Sequence, residues 1–187
     1  MKSGKLIVLT GPSGVGKGTL VRSLLNRHPE LDISVSVTTR EPREGEIEGQ
    51  HYYFVSRSRF EQMVEADELA EWAEFAGNLY GTPYFALKQG IGEGKWVILE
   101  IELEGARQIR NKFPEALRLF ILPPSWEELE RRLRSRGQDS ESAIARRLLR
   151  AKQEIEAAGE FDFQVVNDDL EVALKGLESV LFVSCGK

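Results

Sequence analysis

Apolar positions along this chain fall into short runs with two different periods. Lys5-Leu6-Ile7-Val8-Leu9-Thr10 is an apolar run closed by glycines, the pattern of a buried strand. Directly after those glycines, Leu20, Val21, Leu24 and Leu25 recur at helical spacing. Ile33-Ser34-Val35-Ser36-Val37 alternates, which predicts one strand carrying both serines on the same face. Trp96–Leu99, Leu117–Leu122 and Phe163–Val166 predict further buried strands, with helical patterns over Gly105–Asn111 and Ser125–Arg136 between them. Strands alternating with helices predict βαβ units, hence an α/β fold whose core is a mainly parallel five-stranded sheet flanked by helices.

Two stretches break this alternation. Residues 36–83 are polar, with short strand-like pieces and the aromatics Tyr52, Tyr53, Phe54, Trp72, Phe75 and Tyr80; Trp72 is expected in the core. Residues 125–158 read as an arginine-rich pair of helices. The first opens with Ser125 and Glu128 in capping-box spacing after Pro123-Pro124, and the second carries Ile144, Leu148, Ala151 and Ile155 on one stripe. The expected organisation is a core of residues 1–35, 84–124 and 159–187 bearing two inserts, a mixed α/β segment at 36–83 and a helical lid at 125–158.

Composition narrows the function classes. Of 187 residues, 41% are hydrophobic and 29% charged, as in a globular protein, and the longest apolar runs are far too short to span a bilayer. The single cysteine, Cys185, excludes a disulfide framework, and no signal-peptide pattern opens the chain, so a cytoplasmic location is expected. A net charge of −5 argues against a general nucleic-acid binder. The arginines are nevertheless concentrated in two places, Arg40 with Arg43, and Arg131, Arg132, Arg134, Arg136, Arg146, Arg147 and Arg150. Clustered guanidinium groups on an acidic protein fit either solvated helix faces or the handling of small anions such as phosphates.

Gly11-Pro12-Ser13-Gly14-Val15-Gly16-Lys17 matches the P-loop pattern, set between a strand and an amphipathic helix. There the glycines let successive N–H groups turn inward on phosphate oxygens, the helix N-terminus adds its dipole, and Lys17 brings a point charge to the β- and γ-phosphates. The next residue is Gly18, where the pattern has a magnesium-ligating Ser or Thr; Thr19 comes one position late. Mg2+ is therefore expected to be held mainly by nucleotide oxygens and water. Glu100, closing the run Trp96–Leu99, is placed either as a Walker-B acid acting on the metal through water or as a structural carboxylate.

Further motifs specify more. Ser36-Val37-Thr38-Thr39-Arg40-Glu41-Pro42-Arg43-Glu44-Gly45-Glu46, then Gly49-Gln50-His51-Tyr52-Tyr53-Phe54, resemble the GMP-binding signature of guanylate kinases. Glu71-Trp72-Ala73-Glu74-Phe75, Asn78-Leu79-Tyr80-Gly81-Thr82, Glu100–Gly105, Pro123-Pro124-Ser125, Arg136-Gly137 and Val166–Asp169 follow in the same family's order, so the resemblance covers about residues 5–183. It implies a P-loop kinase that moves the ATP γ-phosphate onto GMP, with dGMP a further candidate acceptor, in purine nucleotide metabolism. It implies that Arg40, Arg43, Tyr52 and Tyr80 hold the GMP phosphate with Glu46 supporting the arginines, and that Ser36, Glu71, Thr82 and Glu102 read the guanine. Glu102 stands where the family commonly has aspartate. The resemblance also places Asn167 near the adenine of ATP and makes Arg132, Arg136 and Arg147 the lid arginines. Two other readings are weighed: a non-catalytic guanylate-kinase-like interaction module, against which the intact loop through Lys17 argues, and a P-loop kinase for another phosphorylated acceptor, against which the guanine-reading carboxylates argue.

Guanine chemistry fits this set. Its N1–H and N2 amino group lie side by side, so one carboxylate accepts from both, while O6 accepts from a hydroxyl such as Thr82 or Ser36. Adenine would turn a bare N1 lone pair toward the same carboxylate, which repels it. A GMP phosphate oxygen is already anionic near neutral pH, so no general base is needed and no role falls to His28 or His51. Both inserts are expected to close over the substrates and exclude water.

Overall fold

The first apolar run forms β1 (Lys5–Thr10), and the glycine-rich loop after it delivers the chain into α1 (Lys17–Arg27), which turns Leu20, Val21 and Leu24 inward. The computed structural model describes residues 4–75, 77–135 and 140–184. They divide into two units, Met1–Val8 with Glu30–Leu117, and Leu9–Pro29 with Arg118–Lys187.

The remaining strands of the main sheet are β2 (Leu31–Ile33), β7 (Trp96–Glu100), β8 (Leu117–Leu122) and β9 (Phe163–Val166), in the order β2-β7-β1-β8-β9. β2 runs parallel to β7 and β9 parallel to β8. This is the mainly parallel five-stranded sheet expected from the strand–helix alternation. A second, mixed sheet has the order β4-β3-β6-β5, from β3 (Val37–Thr38), β4 (Tyr53–Phe54), β5 (Leu69–Phe75) and β6 (Asn78–Pro83). Here β3 pairs parallel with β4 and antiparallel with β6, and β5 pairs antiparallel with β6.

In the first unit, α2 (Arg57–Glu65) starts where Ser56 Oγ accepts the Arg59 N–H at 3.1 Å, a side-chain N-cap. It drives Phe60 and Met63 into a core with Val37, Leu69 and Leu79 of the mixed sheet. α3 (Tyr84–Gly92) and α4 (Leu103–Lys112) complete this unit.

Two strand readings change. Ile33–Val37 is not one strand, because β2 ends at Ile33 and β3 begins at Val37 in the other sheet. The Ser34 N–H still donates to the Ile98 carbonyl at 3.0 Å, whereas the Ser36 carbonyl accepts from Tyr53, 2.9 Å away in the second sheet. The alternating pattern thus continues through a handover between sheets. Phe163–Val166 is an edge strand and not a buried one: Val165 alone is buried, and Val166 is 49% exposed.

One outward donor at the β2 edge is already occupied. Trp96 N–H donates to Glu30 O and Ser34 N–H to Ile98 O, so the alternate backbone groups at Leu31 and Ile33 face away from β7. The Ile33 N–H is taken by the carboxylate of its neighbour Asp32 at 2.9 Å, and that carboxylate also holds Lys95 Nζ at 2.9 Å.

In the second unit, α5 (Trp126–Arg134) begins with Ser125 Oγ accepting the Glu128 N–H at 3.1 Å, as the capping-box spacing predicted. It pairs with α6 (Glu141–Glu156) through Leu129, Leu133 and Ala151, with Leu148 and Ile155 alongside. α7 (Leu170–Glu178) follows β9. Leu133→Ala opens a cavity at a fully buried position of this cluster. Urea unfolding is expected to show about 3 kcal/mol lost.

Candidate active site

Two groups of the predicted residues are each drawn together, one in each unit. In the second unit the loop Gly11–Gly16 turns back on itself, with Val15 N–H bonded to Pro12 O at 3.2 Å. Lys17 is 9% exposed, and its Nζ reaches back over the loop to the carbonyls of Gly11 (2.5 Å) and Pro12 (3.4 Å). Gly16 caps α1 at φ 98°, a left-handed conformation that a side chain resists. A Cβ there would also meet Asn167 Nδ2 at 2.6 Å. The close approach has a purpose in the fold, since Asn167 Nδ2 donates to the Val15 carbonyl at 2.8 Å. Pro12, Ser13, Gly14 and Val15 line this loop; Gly18 and Thr19 open α1, and Thr19 is exposed.

Arg132 of α5 joins the same loop. Its Nη1 donates to Asn167 O at 3.0 Å and to Val15 O at 3.3 Å, and its Nε donates to Glu128 at 2.7 Å. Arg147 lies half-buried on α6, and Arg136 falls outside the described residues. Among the other arginines of this cluster, Arg131 pairs with Glu128, Arg134 with Glu130 and Glu141, and Arg150 with the buried Glu154.

In the first unit the antiparallel register sets Glu71 of β5 opposite Thr82 of β6, and Thr82 Oγ1 donates to Glu71 Oε1 at 2.6 Å. β5 is an edge strand whose outer side is taken up by α4. Gln108 acts as a surrogate strand: its Nε2 donates to Trp72 O at 2.7 Å and its Oε1 accepts Trp72 N–H at 3.2 Å. Lys112 Nζ donates to Leu69 O at 3.3 Å. Gly105 lets α4 come this near, because any Cβ at that position would collide with Glu71 Oε2. Glu71 is consequently 4% exposed, and burial pushes its carboxyl up to about 7. The Thr82 hydroxyl and the charge of Lys112 pull it the other way, and the nearby charge of Glu102, the residue preceding α4, raises it further.

Beside it stands a cationic, phenolic cluster. Arg40 Nη2 donates to Glu46 Oε1 at 2.7 Å, and Glu46 Oε2 accepts the Arg43 N–H at 2.7 Å. Arg40 holds the Glu46 carboxyl below its ordinary range, helped by the Arg43 N–H. The Arg40 guanidinium lies 5.4 Å from the Tyr52 ring centre, and the rings of Tyr52 and Tyr80 meet edge-on at 6.0 Å. Burial raises the Tyr52 hydroxyl, and the charge of Glu100 at the end of β7 raises it further. Ser36 is half-buried next to β3.

The chain as a whole matches a known family. A guanylate kinase family model matches residues 3–184. The chain belongs to the guanylate kinase family. It is 68% identical to the guanylate kinase of Nostoc sp., over 96% of this chain and 90% of that protein. It is 62% identical to that of Trichodesmium erythraeum, over 97% and 98%. The crystal structure of guanylate kinase from Anaplasma phagocytophilum superposes with a TM-score of 0.82 at 34% identity, covering 100% of this chain and 88% of that one. As a guanylate kinase family member, the chain is a nucleoside-monophosphate kinase, a phosphotransferase.

Trp72 is not core: it is 39% exposed on the outer part of β5, touching Phe60 edge-on at 6.4 Å between ring centres. Glu128, which holds Arg132, and Gly105, which admits α4 beside Glu71, also belong with the site. Glu128 stands four residues before Arg132, a spacing that flags an ion pair on a helix but cannot tell a useful one from a solvated one. Among the described residues no group of three or more His, Cys, Asp or Glu is disposed to hold a metal ion, and no helix is long and apolar enough to cross a membrane.

Proposed function

We propose that this chain transfers the γ-phosphoryl group of ATP to GMP, with Mg2+, in purine nucleotide metabolism in the cytoplasm. The observation that carries the reading is the buried Glu71–Thr82 pair. A carboxylate kept from water and backed by a hydroxyl is costly unless a ligand brings donors to it. Guanine N1–H and N2–H supply those donors. Ser36 then faces the base oxygen, Thr82 gives its one hydroxyl hydrogen to Glu71 and holds that carboxylate for the base, and Glu102 adds an acceptor to the same pocket. Arg40 and Arg43, braced by Glu46, hold the GMP phosphate with the hydroxyls of Tyr52 and Tyr80.

On the donor side, the loop Gly11–Gly16 and the start of α1 at Lys17, Gly18 and Thr19 cradle the triphosphate. Asn167 lies toward the adenine. In the transfer, a GMP phosphate oxygen forms a bond to the γ-phosphorus as the bond from that phosphorus to the β,γ-bridging oxygen breaks, and ADP leaves with the electron pair. No proton need move. Lys17, Arg132, Arg136 and Arg147 neutralise charge on the moving group, and the arginine-bearing segment 125–158 serves as the lid that keeps water out. Among the described residues the hard ligands for a metal are few, since Gly18 lacks a hydroxyl and Glu100 brings one carboxylate at a strand end. Such a donor set suits Mg2+, which keeps most of its waters and would be held by phosphate oxygens with Glu100 acting through water. When bound, Mg2+ would offset negative charge on the phosphates.

A coupled assay for nucleoside diphosphate, run over GMP, dGMP, AMP and a phosphorylated sugar with and without Mg2+, tests the reading. Turnover is expected with guanine acceptors and Mg2+ only. Comparable turnover of AMP, or none with any acceptor, would refute it.

A further inference from the structure

Arg132 is restrained from three directions. Its Nε is bonded to Glu128, while its Nη1 is bonded both to the carbonyl of Val15 in the phosphate loop and to the carbonyl of Asn167. Val15 O also receives the side-chain amide of Asn167, so loop, strand end and arginine share one acceptor. A guanidinium is planar, and bonds from two of its nitrogens fix the direction of the third. Nη2 has no acceptor among the described residues, so its two N–H groups are uncommitted.

The anchor of this arrangement is Glu128. Its own N–H is capped by Ser125, in the first turn of α5 where the helix dipole favours an anion. Arg131 first, and then Arg132, push its carboxyl down to about 2, so it stays ionised at any working pH. Its oxygens are shared: Arg131 takes both, at 2.7 Å each, and Arg132 takes Oε1 at 2.7 Å.

We propose that Glu128 is a positioning residue for phosphoryl transfer, which together with Asn167 locks Arg132 against the phosphate loop so that Nη2 is presented to phosphate oxygens. This rests on the kinase reading above and adds to it a residue that touches neither substrate. Without Glu128 the arginine keeps its charge but loses the bond that orients it. Binding then survives better than catalysis, because a misoriented cation still attracts ATP but stabilises the transition state less.

The test is steady-state kinetics of Glu128→Gln, Glu128→Asp and Arg131→Ala, with Glu128→Gln repeated in an Arg132→Ala background. Glu128→Gln is expected to lower kcat roughly tenfold with KM for ATP within about twofold, and Glu128→Asp, which keeps the charge but shortens the reach, to lower it several-fold. Arg131→Ala removes the competing ion pair, so its kcat should equal or exceed that of the parent. In the Arg132→Ala background Glu128→Gln should change kcat less than about twofold, since residues acting as one unit are not additive. An unchanged kcat in both Glu128 variants, an equal loss in Arg131→Ala, or an undiminished effect without Arg132 would each overturn the proposal. A parent that makes GDP from GMP and ATP in the same assay keeps such a failure separate from a failure of the kinase reading.

Discussion

Replacing Lys17 with alanine is expected to lower turnover by roughly 10²-fold or more while leaving the chain folded. The ammonium is nearly buried and lies over its own loop, bonded to the carbonyls of Gly11 and Pro12. Those carbonyls are neutral acceptors, so exchanging them for β- and γ-phosphate oxygens strengthens the interaction, most of all as charge develops in transfer. Alanine removes the charge and leaves two carbonyls without this donor. Lys17→Met, which preserves most of the volume, separates packing from charge and should be about as inactive. Both variants should melt cooperatively by circular dichroism. A near-normal rate in either folded variant would remove Lys17 from the mechanism.

The second large effect concerns Glu71. Its carboxyl is pushed up to about 7 in the folded chain, well above its value in an unfolded one. The folded state therefore binds this proton more tightly, so the associated stability is fully present below the unfolded value and is lost as pH rises through about 7. In the absence of ligand this loss is about 2 kcal/mol between pH 5.5 and 8, and Glu71→Gln should abolish it. Thermal melts of both proteins at pH 5.5 and 8 measure the difference. Parallel pH dependences would show that Glu71 does not titrate in this range.

GMP affinity runs the other way. Guanine needs an ionised acceptor, so the Kd should rise about tenfold for each pH unit below 7. The GMP phosphate titrates as well, near pH 6, but Glu71→Gln isolates that part because it retains the phosphate and lacks the carboxyl. Glutamine offers one acceptor and turns an N–H toward a guanine donor, so KM for GMP should rise roughly 10²-fold in this variant at pH 8. An unaltered KM would place the base elsewhere.

How much of this could be read from the sequence depends on how local the information is. β1, the glycine loop and α1 were legible because the period changes from strand to helix across obligatory glycines, all within residues 5–27. The start of α5 was legible because Ser125 and Glu128 lie three residues apart and bond directly. Glu71 and Thr82 were reached through family motifs alone, since strand pairing, and not any spacing rule, brings them together across 11 residues. Periodicity misled at Ile33–Val37, where no glycine or proline marks the change of sheet, and at Phe163–Val166, where an apolar run lies at a sheet margin. The bond from Asn167 to Val15 spans 152 residues and leaves no local trace. Glu128 was hidden in α5 because acids in the first turn and arginines in the last fit any solvated helix.

The occupied donor at the β2 margin bears on how the chain behaves in company. A strand edge with free N–H groups invites an extended segment from another molecule, and that invitation is how many sheet proteins begin to clump. Here Asp32 has already occupied the Ile33 donor and keeps a lysine beside it. An incoming segment would have to displace a carboxylate and strip water from an ion pair before gaining its first bond. The carboxylate that takes up this one donor thus guards part of the margin in a concentrated solution.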